Sequence, residues 1–123
     1  QIPYPDKSHD FIMLIDVLHH ADRYDVLLKE SIRCARKFIL VKDHICENRW
    51  DKMRLCFMDY LGNIADGVPL PYNYLSKKNW ERKFHEHGLI VEKHLLRLDL
   101  YPFFLSWIFD GSLHFIAKLR INN

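Results

Sequence analysis

The chain has 123 residues, 49% of them hydrophobic, with eight Phe, six Tyr and three Trp and a formal charge of +2. That is the size and composition of one globular domain with a real core, and it excludes a disordered chain. Basic residues never stand more than two together and no apolar run is long enough to span a bilayer, so neither a nucleic-acid footprint nor a membrane span is expected.

The first segment, Ile2-Pro3-Tyr4-Pro5-Asp6, is extended by its prolines. From His9 to Asp16 the chain carries Phe11-Ile12-Met13-Leu14-Ile15 without a polar break, the pattern of a strand covered on both faces in a parallel sheet. Asp22 is placed to cap a helix with Asp25 in its first turn. Tyr24, Leu27, Leu28, Ser31, Ile32 and Ala35 form its inner stripe, and Arg33, Arg36 and Lys37 close it. Phe38-Ile39-Leu40-Val41 predicts a second buried strand, so the first part of the chain is a βαβ unit.

A helix is expected from about Glu47 to Leu61, with Trp50, Met53, Phe57, Tyr60 and Leu61 on one face and Gly62 as its stop. Val68-Pro69-Leu70-Pro71 reads as an extended linker. Ser76 caps a short helix that carries Trp80 and Phe84 and ends at Gly88. Leu89 to Leu98 reads as a third strand, Phe103 to Phe109 as core, and Asp110-Gly111 as a turn. From Ser112 to Ile121, Leu113, Phe115, Ala117, Leu119 and Ile121 alternate with His114, Lys118 and Arg120, which suits an antiparallel or edge strand. Cys34, Cys46 and Cys56 match no zinc or redox spacing and read as free thiols in a reducing cytoplasm; no signal-peptide pattern opens the chain at Gln1.

Four stretches in this order resemble the C-terminal half of class I S-adenosylmethionine-dependent methyltransferases of the small-molecule type. Ile2-Pro3-Tyr4-Pro5-Asp6-Lys7-Ser8-His9-Asp10-Phe11 matches the family's Pro-aromatic-Pro-Asp-x-x-Phe-Asp approach to its fourth strand, with His9 where an aromatic is common. Asp16-Val17-Leu18-His19-His20 is similar to the Leu-His-His ending of that strand. Leu28-Lys29-Glu30 through Arg33 matches the Leu-x-Glu-x-x-Arg helix, and Leu40-Val41-Lys42-Asp43-His44 the fifth strand. The resemblance implies an α/β fold: a partial Rossmann-like methyltransferase sheet of the last four strands, three parallel or mixed plus one antiparallel, with flanking helices. Residues 1–123 would form a single partial domain.

One departure matters. The family's first strand ends in a Gly-x-Gly loop beneath the cofactor, whereas Gly62, Gly67, Gly88 and Gly111 are all isolated here. The N-terminal cofactor-binding half is therefore absent, and the edge of strand 11–15 is expected to be bare and apolar, a template for pairing. The missing half in the full-length protein, or self-association of two half sheets, would cover it.

Ligands of open α/β sheets sit outside the carboxyl ends of the strands. The resemblance puts Asp16, Val17 and His19 near the cofactor, S-adenosylmethionine, which the full-length protein is expected to bind and this chain to bind weakly or not at all. A base is needed only where the acceptor loses a proton; His20 or His44 could serve, and one of His19 and His20 must point away if the backbone is extended. A loop-fixing hydrogen bond is the alternative for His44, and a turn cap for Asp16. Asp43, with Tyr72, Asn73 and Tyr74 of the insertion after the fifth strand, would face a small-molecule acceptor; a connector anchored by its aromatics is the alternative. No metal centre is expected, because Asp43, His44 and Cys46 do not have a recognised zinc spacing. Two functions stay open: part of a methyltransferase, not competent alone, or a degenerate non-catalytic half domain serving as an interaction or dimerisation module.

Overall fold

A computed structural model describes residues 1–63, 70–96, 98–99 and 101–122, without the Trp107 side chain. Its elements are β1 (His9–Ile15), α1 (Tyr24–Cys34), β2 (Ala35–His44), α2 (Arg49–Asn63), α3 (Lys77–Glu86), β3 (Leu89–Leu95), α4 (Phe103–Phe109) and β4 (His114–Ile121). The strands form one sheet in the order β1-β2-β4-β3. β1 and β2 are parallel, and β4 is antiparallel to both of its neighbours. Three strands thus run one way and one the other, as expected for the last four strands of the methyltransferase sheet.

The register explains the core. Ile12 faces Ile39 and Leu14 faces Val41 across β1 and β2, while Ile39 faces Leu119 and Val41 faces Ala117 across β2 and β4. These rows share one side of the sheet with Leu28 of α1 and Trp80 and Phe84 of α3, in a single buried cluster. Rings lock it: Trp80 lies 5.7 Å from Phe84 and 5.5 Å from Phe115, and the indole Nε1 donates to the His44 carbonyl at 2.9 Å. α3 starts where Ser76 Oγ accepts the Asn79 N–H, and Gly88 follows it at φ +69°, a conformation that favours glycine.

Several elements depart from expectation. β1 is covered on one side only. The side chains of Phe11, Met13 and Ile15 point the other way and are 49%, 53% and 42% exposed, because α1 and α3 pack on the Leu14 side. Asp22 does not cap α1; the N-cap is Arg23, with no side-chain bond. α1 stops at Cys34, so Ala35, Arg36 and Lys37 lie on β2, where both basic side chains pair with Asp10. α2 runs past Gly62 to Asn63 and turns its apolar stripe outward: Trp50, Met53, Phe57, Tyr60 and Leu61 are exposed, and Asp51, Leu55 and Asp59 are buried. The carboxylates point inward because partners wait there: the Glu47 N–H for Asp51 and the Tyr74 hydroxyl for Asp59. Gly67, Val68 and Pro69 lie outside the described residues. On α4, Phe103 and Phe104 are exposed instead of forming core. β4 is antiparallel, one of the two placements expected, and lies inside the sheet, with its His114 buried. No helix among the described residues is long and apolar enough to cross a membrane.

Candidate functional site

Because β1 and β2 are parallel, their carboxyl ends open side by side. Asp16 leaves β1 at φ +50°, a left-handed turn that Asp tolerates better than most residues. Its N–H donates to the Lys42 carbonyl at 2.9 Å, and its carboxylate receives Lys42 Nζ at 2.6 and 2.5 Å. The turn sends the chain back over the strand ends as a short 3-10 turn, Leu18–His20, anchored by the fully buried Leu18.

Asp43, near the end of β2, holds that turn. Its carboxylate is 0% exposed and accepts three hydrogen bonds: from the Leu18 N–H at 3.1 Å, the His44 N–H at 2.7 Å and His19 Nδ1–H at 2.6 Å. His19 is 1% exposed, and its Nε2 faces Asp59 Oδ2 at 3.6 Å without a hydrogen-bond partner among the described residues. Burial works against a charged His19. The hydrogen bond and charge of Asp43, with the charges of Asp59 and Asp16, outweigh it and raise the ring above its ordinary value.

His44 sits beside it in the opposite condition. Its Nδ1 lies 3.1 Å from His114 Nδ1, and His114 Nε2 lies 2.8 Å from the Phe109 carbonyl. A carbonyl only accepts, which assigns the His114 proton to Nε2 and makes His44 Nδ1 the donor. The neutral His44 therefore presents a bare Nε2 toward Asp16 Oδ1 at 3.8 Å and Asp59 Oδ1 at 3.9 Å. Burial, then electrostatic repulsion from the neighbouring His19, His114, Lys42 and His20, pushes His44 down to about 2. Burial likewise lowers His114 and, with Asp59, raises the Tyr74 phenol.

Asp16, His19, His20, Lys42, His44, Asp59, Tyr101 and His114 line a cavity of about 430 Å³ at the strand ends. It shares Met58, Gly62 and Tyr101 with an apolar recess of about 270 Å³ that reaches Leu61 and Phe109.

Of the residues singled out from sequence, Asp16, His19, His20 and His44 come together on this wall. Asp43 does not face the cavity; it is enclosed beneath His19. Val17 is exposed and outside the lining. Tyr74 joins the cluster, its ring 5.7 Å from His19 and 6.1 Å from His44. Asn73 donates to the Ala21 carbonyl and ties the connector to the turn after β1, and Tyr72 packs on Tyr74 away from the cavity. Cys46 is apart from the histidines, its thiol toward the Asn48 carbonyl. Sequence reasoning missed Asp59, Tyr101 and His114. One signal was present for Asp59: Asp51, Leu55 and Asp59 recur every four residues along one helix face.

No protein-family model matches the sequence, and no curated protein matches it significantly. Solved structures do match. A SAM-dependent methyltransferase from Thermotoga maritima superposes with a TM-score of 0.69 at 18% identity, over 99% of this chain and 60% of that one. A SAM-dependent methyltransferase from Aquifex aeolicus gives 0.60 at 20% identity, over 99% of this chain and 50% of that one. The mitomycin 7-O-methyltransferase MmcR gives 0.58 at 24% identity, over 97% of this chain and 31% of that one. The chain has part of the fold of class I SAM-dependent methyltransferases, and it spans between about a third and two thirds of the length of these solved structures.

Proposed function

We propose that this chain is part of an S-adenosylmethionine-dependent methyltransferase acting on a small molecule, and that it supplies the acceptor-side rim of the site. The observation that carries this reading is the His19–Asp43 pair: a buried imidazole held at Nδ1 by a carboxylate, with Nε2 unpartnered among the described residues beside a cavity at the strand ends. S-adenosylmethionine, when bound, supplies a methyl group activated by the sulfonium charge. The residues present fit one end of it. Asp16 brings a carboxylate to the cavity wall where a cationic group would be welcome, and Asp16 and Val17 would hold the methionine end. No Gly-x-Gly turn in this sequence serves the rest.

With the cofactor bound, the acceptor's heteroatom takes the methyl group from the sulfonium, leaving the neutral thioether S-adenosylhomocysteine, and His19 Nε2 takes the proton from the acceptor hydroxyl or amine. Asp43 then stabilises the imidazolium and keeps the ring in place. His19, not His20 or His44, is thus the base of this reading. His44 stays neutral at physiological pH and offers only a lone pair. Asp43 acts through His19 and does not touch the acceptor. Tyr74 and Tyr101 supply the aromatic wall, while Tyr72 and Asn73 hold the connector in place. A cytoplasmic setting belongs to the same reading.

Calorimetry on the 123-residue chain is expected to show weak or no binding of S-adenosylmethionine; tight micromolar binding would overturn this division of labour. In the methyltransferase that contains the chain, His19→Gln is expected to lower kcat roughly 100-fold or more, and His20→Gln to do less. An unchanged kcat in His19→Gln sinks the base assignment. A second reading, a non-catalytic interaction or dimerisation module, is favoured by the exposed apolar side chains of the edge strand β1.

A further inference from the structure

We propose that the cavity at the carboxyl ends of β1 and β2 binds a divalent transition-metal ion of the zinc type, with His19 and His44 as nitrogen ligands and Asp16 and Asp59 as carboxylate ligands. This goes beyond the methyl-transfer reading and does not depend on it.

The donors already converge. Asp16, His19 and His44 each offer a ligand atom within 4.8 Å of the others, and His19, His20 and Asp59 form an overlapping set. His19 Nε2 stands 3.6 Å from Asp59 Oδ2, and His44 Nε2 stands 3.8 Å from Asp16 Oδ1 and 3.9 Å from Asp59 Oδ1. Ligands at tetrahedral zinc bond lengths lie about 3.4 Å apart. Contraction by a few tenths of an ångström therefore brings these three pairs to the spacing of ligands on one ion.

The surroundings are those of a metal site. A ligating imidazole normally gives its other ring N–H to a carboxylate or another acceptor, which fixes the tautomer and the aim. His19 gives Nδ1–H to Asp43, and His44 gives Nδ1–H to His114, itself fixed by the Phe109 carbonyl. Asp59 accepts the Tyr74 hydroxyl and Asp16 accepts Lys42, so each carboxylate is oriented too. An Nε2 without a partner among the described residues, on a side chain 1% exposed, is costly unless something binds it. Two imidazoles with carboxylates select zinc-type ions over magnesium or calcium. A metal ion here and a proton on His19 Nε2 are alternative occupants of one lone pair.

The test is a calorimetric titration of the chelator-stripped chain with zinc sulfate, without cofactor or acceptor. One equivalent should bind with a dissociation constant of about 1 μM or lower. His19→Ala and His44→Ala should each weaken binding by at least 10-fold, and Asp43→Asn by about 10- to 100-fold through the orientation of His19. The exposed His85→Ala should bind like the parent chain. Absence of binding by the folded parent chain, or affinity unchanged in both histidine variants, overturns the proposal. Should the variants fail to fold, cobalt loaded into the parent chain decides. A d–d absorption without a thiolate charge-transfer band is expected; a thiolate band, or no d–d band, overturns it. Methyl transfer enters none of these readings, so their failure leaves the proposed function standing, and the converse holds.

Discussion

His19 and His44 stand side by side with ring centroids 4.5 Å apart, yet their surroundings push them in opposite directions. His19 has a carboxylate on one nitrogen and another near the second; His44 has a histidine on one nitrogen and little water anywhere. This sets a pH dependence of stability. Below about pH 6.5 the unfolded chain takes up a proton that folded His44 refuses until about pH 2, so stability falls with pH. The slope from this group is up to about 1.4 kcal/mol per pH unit, and His114 adds in the same direction. His19 acts on the other side: its contribution is complete below about pH 6.5 and fades as pH rises through its raised value. Urea denaturation at pH 7.0 and 5.5 is expected to show lower stability at 5.5, with a flatter dependence in His44→Gln; higher stability at 5.5 would contradict the assignment. In sequence, the Leu-His-His ending pointed to the right strand end. It could not say which histidine turns inward, because that depends on a 3-10 turn held from β2 by Asp43, 24 residues after His19.

At the scale of elements, α3 is the case in which local chemistry and tertiary packing agree. Ser76 caps it, Trp80 and Phe84 bury it and Gly88 ends it, all readable before the fold was known. Ser76→Ala is expected to cost about 1 kcal/mol, read as a fall of about 4 °C in the melting midpoint. A midpoint unchanged within a degree would show that the cap bond does nothing. α2 is the opposite case. Periodicity finds an apolar stripe at Trp50, Met53, Phe57 and Tyr60, but it cannot say what lies against it. The buried side is chosen by partners distant in sequence: Tyr74 for Asp59, and the Ile108 and Asp110 carbonyls for Arg54 beside it. The β1 run failed for a related reason. Phe11, Met13 and Ile15 read as buried because they are apolar, and nothing in the run itself records that the helices cover only the Leu14 side of it.

For the whole molecule, the edge of β1 is the consequential surface. Its outward row, Phe11, Met13 and Ile15, continues onto Phe38, whose ring stacks on Phe11 at 5.2 Å. Apolar edges of this kind pair with other strands unless a charge interrupts them. Sedimentation velocity on the chain is expected to show concentration-dependent dimers, and Met13→Lys to return it to a monomer. A clean monomer of the parent chain at high concentration rules out self-association through this edge.

The strand order has a bearing on how the chain is made. β4 lies between β2 and β3 although it follows both in sequence, and among the described residues β3 has no other hydrogen-bonded neighbour. Until β4 has been synthesised, the β1-α1-β2 crossover can close, but β3 has no partner among the described strands. A stop codon just upstream of His114 would therefore remove the middle of the sheet and not its rim, leaving two pieces that cannot meet. Synthesis of residues 114–121 is the event that joins β3 to the rest of this sheet, and slow synthesis over the preceding stretch would prolong exposure of an incomplete sheet to chaperones and proteases.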